Sequence, residues 1–424
     1  MKIKNYYGVM LTFMAHLSKL LMGFFILKLI AYKMGVDGLG RIGNFMSLLT
    51  VCGILAGGGI INGVIKYTSE YRGDVKRLTL FVSSAIRYSL ISSVIMLLIF
   101  IIFSETISKF IFGSGELYIY IVVLSISQVI LALLNINLGV FNGIGKNVLY
   151  AKSQIIGSII GIPICWLLIN NMGFSGVIIS LILSVLTPII PAVYYSSKHG
   201  LYSLININLY DPKFTRNLSK FTLMLLVSVV SFPLTEIVIR QYIIHSINDG
   251  YHEVGLWQGA LRLSAAYTSL ISVVLAYWFM PIISQEENWY IIKRKVFGGM
   301  LITAFGVFLG LGVLYLFRGF FISTLLSKDF LKLCDILIYQ LVGDFFKITA
   351  SVFGFVAVAK AASRIYIFAE LFQCSLILLV LYAKVYLSGA IDAENVMFSY
   401  ALSYCIYFIL SLFVFSFICN KMSR

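Results

Sequence analysis

The sequence predicts an all-α polytopic membrane protein with twelve transmembrane helices in two six-helix lobes. Three observations predict it. The 424 residues are 60% hydrophobic and 12% charged, with a mean hydropathy of +0.97, a composition outside the range of soluble globular domains. The apolar residues run continuously instead of alternating, which excludes a closed barrel. Twelve such runs can be drawn, each near or above the ~20 residues a helix needs to cross hydrocarbon.

In chain order, Lys2 and Lys4 precede the first run, 7–33, and no small-residue cleavage site follows it. That segment is expected to stay in the protein as a helix instead of leaving as a signal peptide. The second run, 38–68, opens at Asp37-Gly38-Leu39-Gly40 and is interrupted by Gly57-Gly58-Gly59. Three glycines inside a helix cost roughly 1 kcal/mol each relative to Ala. They predict a bend or a close helix contact, and, read functionally, a hinge. Runs 77–103, 117–144, 150–170 and 175–196 complete the first six. The longest connection, 197–213, carries Lys198, His199, Asp211, Pro212 and Lys213, and marks the boundary between an N-terminal lobe, 1–200, and a C-terminal lobe, 201–424. The second six runs are 214–244, 251–281, 291–318, 331–358, 362–386 and 392–420. Pro163, Pro188, Pro191, Pro233 and Pro281 lie in or near these runs and predict kinks.

The two halves repeat. Gly40 opens the second run and Gly255 in Glu253-Val254-Gly255 opens the eighth, at an offset of 215. Gly145-Lys146 closes the fourth and Ala359-Lys360 the tenth, at an offset of 214. Six spans per half give both copies one topology, related by an axis along the membrane normal, with the substrate path expected between the lobes.

Lys and Arg set the orientation. With the N-terminus in the cytoplasm, 19 of the 32, from Lys2 and Lys4 through Lys220 to Lys421 and Arg424, fall inside. Only Lys33, Arg41, Lys109, Arg318, Lys328, Lys332 and Lys384 fall outside. Both termini are therefore expected in the cytoplasm. Such loops account for much of the net charge of +15, which on a soluble protein would have pointed to nucleic acid; no nucleic-acid partner is expected. Cys52, Cys165, Cys334, Cys374, Cys405 and Cys419 are scattered without CxxC spacing and read as free apolar thiols. His16, His199, His245 and His252 form no HExxH, and neither a GxSxG nor a P-loop occurs. No catalytic residue, metal site or cofactor is expected, and an enzyme or an ATP-driven pump is disfavoured.

Charges inside the spans are the informative feature. The cations are Lys19, Lys28, Arg87, Arg240, Arg262 and Lys347, and the acids are Glu236, Asp344 and Glu370, an excess of +3. At 1.5 Å per residue, Lys19 lies roughly 18 Å into its span, Arg262 roughly 16 Å, and Asp344 and Lys347 roughly 20 and 24 Å. Those depths are too great for easy snorkelling, so these four are assigned to a water-filled cavity. Asp344 and Lys347 share a helix face and also fit a structural pair. Lys28 lies on the opposite face from Lys19 and nearer a span end. Glu370 is shallower and reads as a neutralising or proton-carrying acid. Glu236 and Arg240, one helical turn apart, read as a local ion pair. A cationic cavity implies an anionic substrate, because Lys and Arg at low dielectric bind phosphate strongly.

The chain resembles the Wzx-type flippases of O-antigen and enterobacterial common antigen, within the multidrug/oligosaccharidyl-lipid/polysaccharide (MOP) exporter superfamily. The resemblance covers nearly the whole chain. It is carried by Lys19 and Lys28, by Leu55-Ala56-Gly57-Gly58-Gly59-Ile60-Ile61-Asn62-Gly63-Val64-Ile65-Lys66-Tyr67, and by Leu218-Ser219-Lys220-Phe221-Thr222-Leu223-Met224. Glu253-Val254-Gly255-Leu256-Trp257-Gln258-Gly259, Gln340-Leu341-Val342-Gly343-Asp344 and Ala359-Lys360-Ala361 with Glu370 complete it. Lys347 also matches the family; Arg262 does not.

The resemblance implies the MOP exporter fold, a V-shaped cationic cavity, and alternating access in a bacterial inner membrane. The substrate it implies is an undecaprenyl-pyrophosphate-linked oligosaccharide carried from the cytoplasmic to the periplasmic leaflet. Lys19, Lys28, Arg262 and Lys347 are then expected to bind the pyrophosphate. Asp344 and Glu370 would bind a coupling proton or sodium ion or form a charge pair, and the sugar would sit against Trp257, Gln258 and Tyr267. A polysaccharide polymerase and a chain-length regulator are the expected protein partners of a monomeric transporter. The alternative within the superfamily is a drug/cation antiporter, which would want an acidic or apolar cavity. A polymerase enzyme would want a substantial external loop, and every external connection here is short.

Overall fold

The structure, a computed structural model, describes residues 2–206, 208–360 and 362–422. Ala361 and Arg424 lie outside them, as do the side chains of Lys2, Lys4, Lys220, Phe221, Leu223 and Met224. The described residues are predominantly helical, joined by short turns, and contain no strand. Helices α1 (Lys2–Leu55), α2 (Ile61–Glu70), α3 (Val75–Ile102), α4 (Ser104–Phe112), α5 (Tyr118–Gly143), α6 (Asn147–Leu186) and α7 (Ile189–Lys198) form the first half. Helices α8 (Pro212–Ser246), α9 (Gly250–Val274), α10 (Met280–Ser284), α11 (Trp289–Leu316), α12 (Arg318–Leu325), α13 (Leu333–Ala359), α14 (Ser363–Ser388) and α15 (Ala393–Met422) form the second.

Among the described residues, eight helical stretches are long and apolar enough to cross a membrane. Two of them, Met10–Glu70 and Asn147–Lys198, run for 61 and 52 residues, which is length for two crossings each. Each is broken by a glycine at positive φ, Gly35 at 64° and Gly173 at 54°. With α8 and α9 this accommodates the twelve crossings read from hydropathy. The protein is a multi-pass membrane protein.

The internal repeat is visible element by element. Helices α3 and α11 start at the same offset that relates Gly145 to Ala359, and so do the short helices α4 and α12. Helices α5 and α13 start at the offset that relates Gly40 to Gly255. Even the caps repeat. Asp74 before α3 accepts from the Arg77 backbone N–H at 3.1 Å, and its counterpart Asn288 before α11 accepts from that of Tyr290 at 2.9 Å. The break at Gly173 returns at Gly389, a left-handed glycine at φ 69° closing α14.

The chain divides into two compact units, Met1–Lys33 with Asn44–Pro233, and Met34–Gly43 with Leu234–Arg424. By packing, therefore, the first part of α8 belongs with unit 1 and the rest, beyond Pro233, with unit 2. A short piece in the middle of α1 belongs with unit 2. In unit 1, Ile60, Val64, Phe81, Val82, Ile136 and Val140 form a core joining α2, α3 and α5. In unit 2, Phe279, Ile283, Val296, Val352, Val356 and Phe415 do the same for α10, α11, α13 and α15.

The three-glycine interruption is a real break. Gly57, Gly58 and Gly59 have φ of 71°, 83° and 65°, left-handed values that L side chains avoid. The carbonyls released there find partners inside unit 1. The Asn135 amide donates to Gly53 and Ala56 at 3.3 and 3.5 Å, and the Thr222 hydroxyl donates to Gly58 at 2.5 Å while itself meeting the Tyr88 hydroxyl at 2.7 Å. The second half carries a break at the same level: Leu275, the repeat counterpart of Ile60, begins a π-helical turn, Leu275–Phe279. A β-carbon at Gly57 would collide with the Ser89 hydroxyl, whereas one at Gly59 meets nothing closer than 3.6 Å. Gly57→Ala is thus expected to cost roughly 2–4 kcal/mol from backbone strain plus overpacking. Gly59→Ala should cost about 1–2 kcal/mol from strain alone. Thermal unfolding of the purified variants in detergent checks the order.

Candidate functional site

In unit 2, α13 packs against α9, α11, α14 and α15, and its Gln340, Asp344 and Thr349 are buried in protein. Asp344 is fully buried. Its carboxylate accepts a short hydrogen bond from the Tyr267 hydroxyl on α9 and one of 2.7 Å from the Tyr400 hydroxyl on α15. The Gln340 amide, one turn earlier, donates at 3.3 and 3.4 Å to its two oxygens. A buried charge is tolerated where its lone pairs are filled in this way. The residue before it makes the geometry possible: a β-carbon on Gly343 would collide with the Tyr400 ring. The Gly343-Asp344 pair is therefore one device, a gap for the ring beside an acceptor for its hydroxyl.

Lys347, one turn further along α13, holds its ammonium 5.6 Å from the Tyr400 ring centroid and 5.3 Å from that of Tyr404, a cation–π arrangement on two faces. Glu370 on α14 lies beside the Tyr366 hydroxyl and within the field of Lys347. Asp344, Lys347 and Glu370 thus come together in one cluster with Tyr267, Tyr366, Tyr400 and Tyr404. The sequence reading missed Tyr366, Tyr400 and Tyr404; the one-turn spacing of the last two on an apolar helix was the available signal.

A second charged cluster occupies the same unit. Arg240 is fully buried, bonded to Glu236 at 2.9 Å and to the Gln258 side-chain oxygen at 2.8 Å, with its guanidinium 5.3 Å over the Trp257 ring. The local Glu236–Arg240 pair read from spacing is present. Arg262, one turn beyond Gln258 on α9, shares the field of Glu236 and Arg240, and its Nε has no hydrogen-bond partner among the described residues. Gln258 and Trp257, expected to line the sugar site, are 0% and 3% exposed. They are occupied by Arg240, and Tyr267 by Asp344, so this trio is structural in the present state.

The in-span charges partition sharply. Unit 2 holds Glu236, Asp344 and Glu370 against Arg240, Arg262 and Lys347, a balanced set. Unit 1 holds Lys19, Lys28 and Arg87 and none of the in-span acids. The Arg87 guanidinium stacks 4.7 Å over Tyr210, in the connection preceding α8, which draws it towards a span end. Lys19 and Lys28 both keep accessible surface although they sit in a transmembrane run; Lys19 does so while deeply surrounded by protein atoms, as a residue lining a recess would, and His16 lies within its field. Balanced charge in one unit and excess positive charge in the other is a division that the total of +3 does not reveal.

Comparison with known proteins adds the following. The family described as "Polysaccharide biosynthesis protein" matches residues 6–287. The chain is 32% identical over 400 residues to the lipid III flippases of Escherichia coli (strain K12) and of Shigella flexneri, covering 94% of this chain and 95% of each relative. Among solved structures, the inward-facing conformation of a MATE family multidrug resistance transporter of the MOP superfamily superposes with a TM-score of 0.73. That match has 16% identity over 95% of both chains. A MOP superfamily transporter from Pyrococcus furiosus, described as having a binding pocket of reversed polarity, gives 0.69 at 13% identity, over 98% of this chain and 95% of that one. At these identities the structural likenesses establish the MOP transporter fold.

Proposed function

Because the chain belongs to the polysaccharide biosynthesis protein family, we propose that it is a flippase for a lipid-linked oligosaccharide. It carries an undecaprenyl-pyrophosphate-linked repeat unit across a bacterial inner membrane by alternating access, without catalysing a reaction. The observation that carries this reading is the charge partition. Unit 1 presents Lys19 and Lys28 at membrane depth with no acid among its in-span residues, an arrangement suited to an anionic headgroup and unsuited to a cationic drug. Lys19 and Lys28 are the principal contacts to the pyrophosphate. Arg262 and Lys347 are further contacts, each set in a network that already balances its charge. Asp344 and Glu370 are the acids through which a proton or sodium ion would bias the two states, since a shift between states requires unequal stabilisation of them. The Gly57-Gly58-Gly59 break serves as a hinge. Both termini lie in the cytoplasm, and the transporter works as a monomer beside a polymerase and a chain-length regulator.

Complementation tests this. Wild type, Lys19→Ala, Arg262→Ala and Lys347→Ala are expressed at matched membrane abundance in cells lacking their own flippase, and surface polysaccharide is scored. Lys19→Ala is expected to lose about tenfold or more of the activity, as for removal of one charge-assisted contact, with smaller losses for the other two. Full activity in all three variants would refute the cationic binding path. Drug resistance in place of polysaccharide from the wild type would refute the substrate class.

A further inference from the structure

The repeat brings the same two connections together within each unit. In unit 2 the end of α13 meets the turn before α11, where the Lys360 ammonium donates a short hydrogen bond to the Glu286 carbonyl. The Glu286 carboxylate, at the same turn, pairs with Lys295 at 2.8 Å. In unit 1 the end of α5 meets the turn before α3. There the Arg72 guanidinium lies so near Gly145 that a β-carbon on this glycine would stand 2.8 Å from one of its nitrogens. Gly145 is at φ 76°, a backbone that glycine adopts freely, and the next residue is Lys146.

The offset that carries Lys146 to Lys360 also carries Arg72 to Glu286. One repeat therefore sets a cation beside an acid, and the other sets a cation beside a cation. The acids of the unit 1 turn do not take up the difference. Asp74 pairs with Arg77 at 3.6 Å and accepts its backbone N–H, and Glu70 lies at the Tyr71 hydroxyl. Among the described residues, neither Arg72 nor Lys146 has an ion pair or a side-chain hydrogen bond. Lys146 also directly precedes α6, whose dipole adds positive potential at that end. Both residues lie in connections between apolar runs, Arg72 exposed and Lys146 half-buried, which is the level of the membrane surface.

We propose that Arg72 and Lys146 form a phosphate site at this end of unit 1. A planar fork beside a point charge suits the several oxygens of one phosphate. At this level the phosphate belongs to an anionic phospholipid headgroup or to a soluble ion. The site does not depend on what the transporter carries. The test titrates the purified full chain, in neutral detergent, with phosphatidylglycerol and counts bound lipid by native mass spectrometry. Arg72→Glu, which recreates the acid of unit 2, is expected to weaken phosphatidylglycerol binding about tenfold, as for loss of a charge-assisted contact. Lys76→Glu removes the same net charge from a neighbouring position and should leave binding within about twofold, because a phosphate is held by contact and not by net charge. Without lipid, Arg72→Glu should unfold no lower than the wild type, since it gives Lys146 a partner. Displacement of the lipid by inorganic phosphate identifies a site open to the soluble ion; retention of the lipid identifies a headgroup site. Equal lipid binding by wild type and Arg72→Glu, with no phosphate-induced rise in the wild-type unfolding midpoint, overturns the proposal. An equal loss in Lys76→Glu also overturns it, because a diffuse positive surface then accounts for the binding.

Discussion

Asp344→Ala is expected to destabilise the protein by about 3–5 kcal/mol, the range for removing one member of a buried charged network. The substitution leaves the hydroxyls of Tyr267 and Tyr400 and the amide of Gln340 without their common acceptor, at a position where Asp344, Gln340 and Tyr400 are buried. It also removes the negative charge facing Lys347. Three helices lose a shared tie, because Tyr267 is on α9, Asp344 on α13 and Tyr400 on α15. Asp344→Asn keeps the shape and one acceptor oxygen, so its cost should be smaller, about 1–3 kcal/mol for the bonds it cannot remake. Thermal unfolding in detergent, followed by intrinsic fluorescence, ranks the two. A wild-type midpoint for Asp344→Ala would mean that the carboxylate does not hold the three helices together.

Arg240→Ala is expected to cost a comparable amount, about 3–5 kcal/mol, through a different mechanism. Arg240 lies in the interior with Glu236, Gln258 and the Trp257 ring arranged about it. Deleting it removes the guanidinium bonded to the Glu236 carboxylate, 15% exposed, and to the Gln258 oxygen, and opens a void the size of a long side chain. Part of the loss is recoverable. In a Glu236→Gln background the Arg240→Ala cost should fall by about 1–3 kcal/mol, the coupling expected of contacting charges, provided Arg262 no longer depends on Glu236. Additive losses in the double-mutant cycle would show that Glu236 and Arg240 act separately. Both replacements also bear on transport: if the networks only set the rest position of α9, the folded Asp344→Asn variant should retain polysaccharide export.

Much of this site is legible in the sequence alone. The charges stand out, since a Lys, Arg or Asp in a run of apolar residues is conspicuous against hydrocarbon. The one-turn spacing of Glu236 and Arg240 predicts their pairing, because neighbours on successive helix turns meet whatever else the fold does. The tyrosines around Asp344 are not legible. Tyr267 and Tyr400 are far apart in the chain and lie on helices whose meeting depends on tertiary packing, and in a chain with 26 Tyr and 33 Phe no single aromatic announces a role. Gln258 and Trp257 illustrate the same limit in reverse: chemically suited to a sugar, they are used up by an arginine on the preceding helix.

By itself the sequence determined the membrane class, the helical fold and the repeat, because these follow from local quantities: apolar run length, backbone hydrogen-bond satisfaction in hydrocarbon, and residues recurring at a fixed offset. It also determined that positive charge is in excess within the spans. It also put all three in-span acids beyond residue 200; only the tertiary structure decided which partners each charge meets, Asp344 with Tyr267 and Tyr400, and Arg240 with Glu236, Gln258 and Trp257. Only it showed that Gly40 and Gly255, visible in the sequence as matching landmarks of the repeat, are in backbone contact. The physical reason is the same in both cases. Which helices share an interior is set by packing over long sequence separations, and a charge or a missing β-carbon acquires its meaning from what that packing places opposite it.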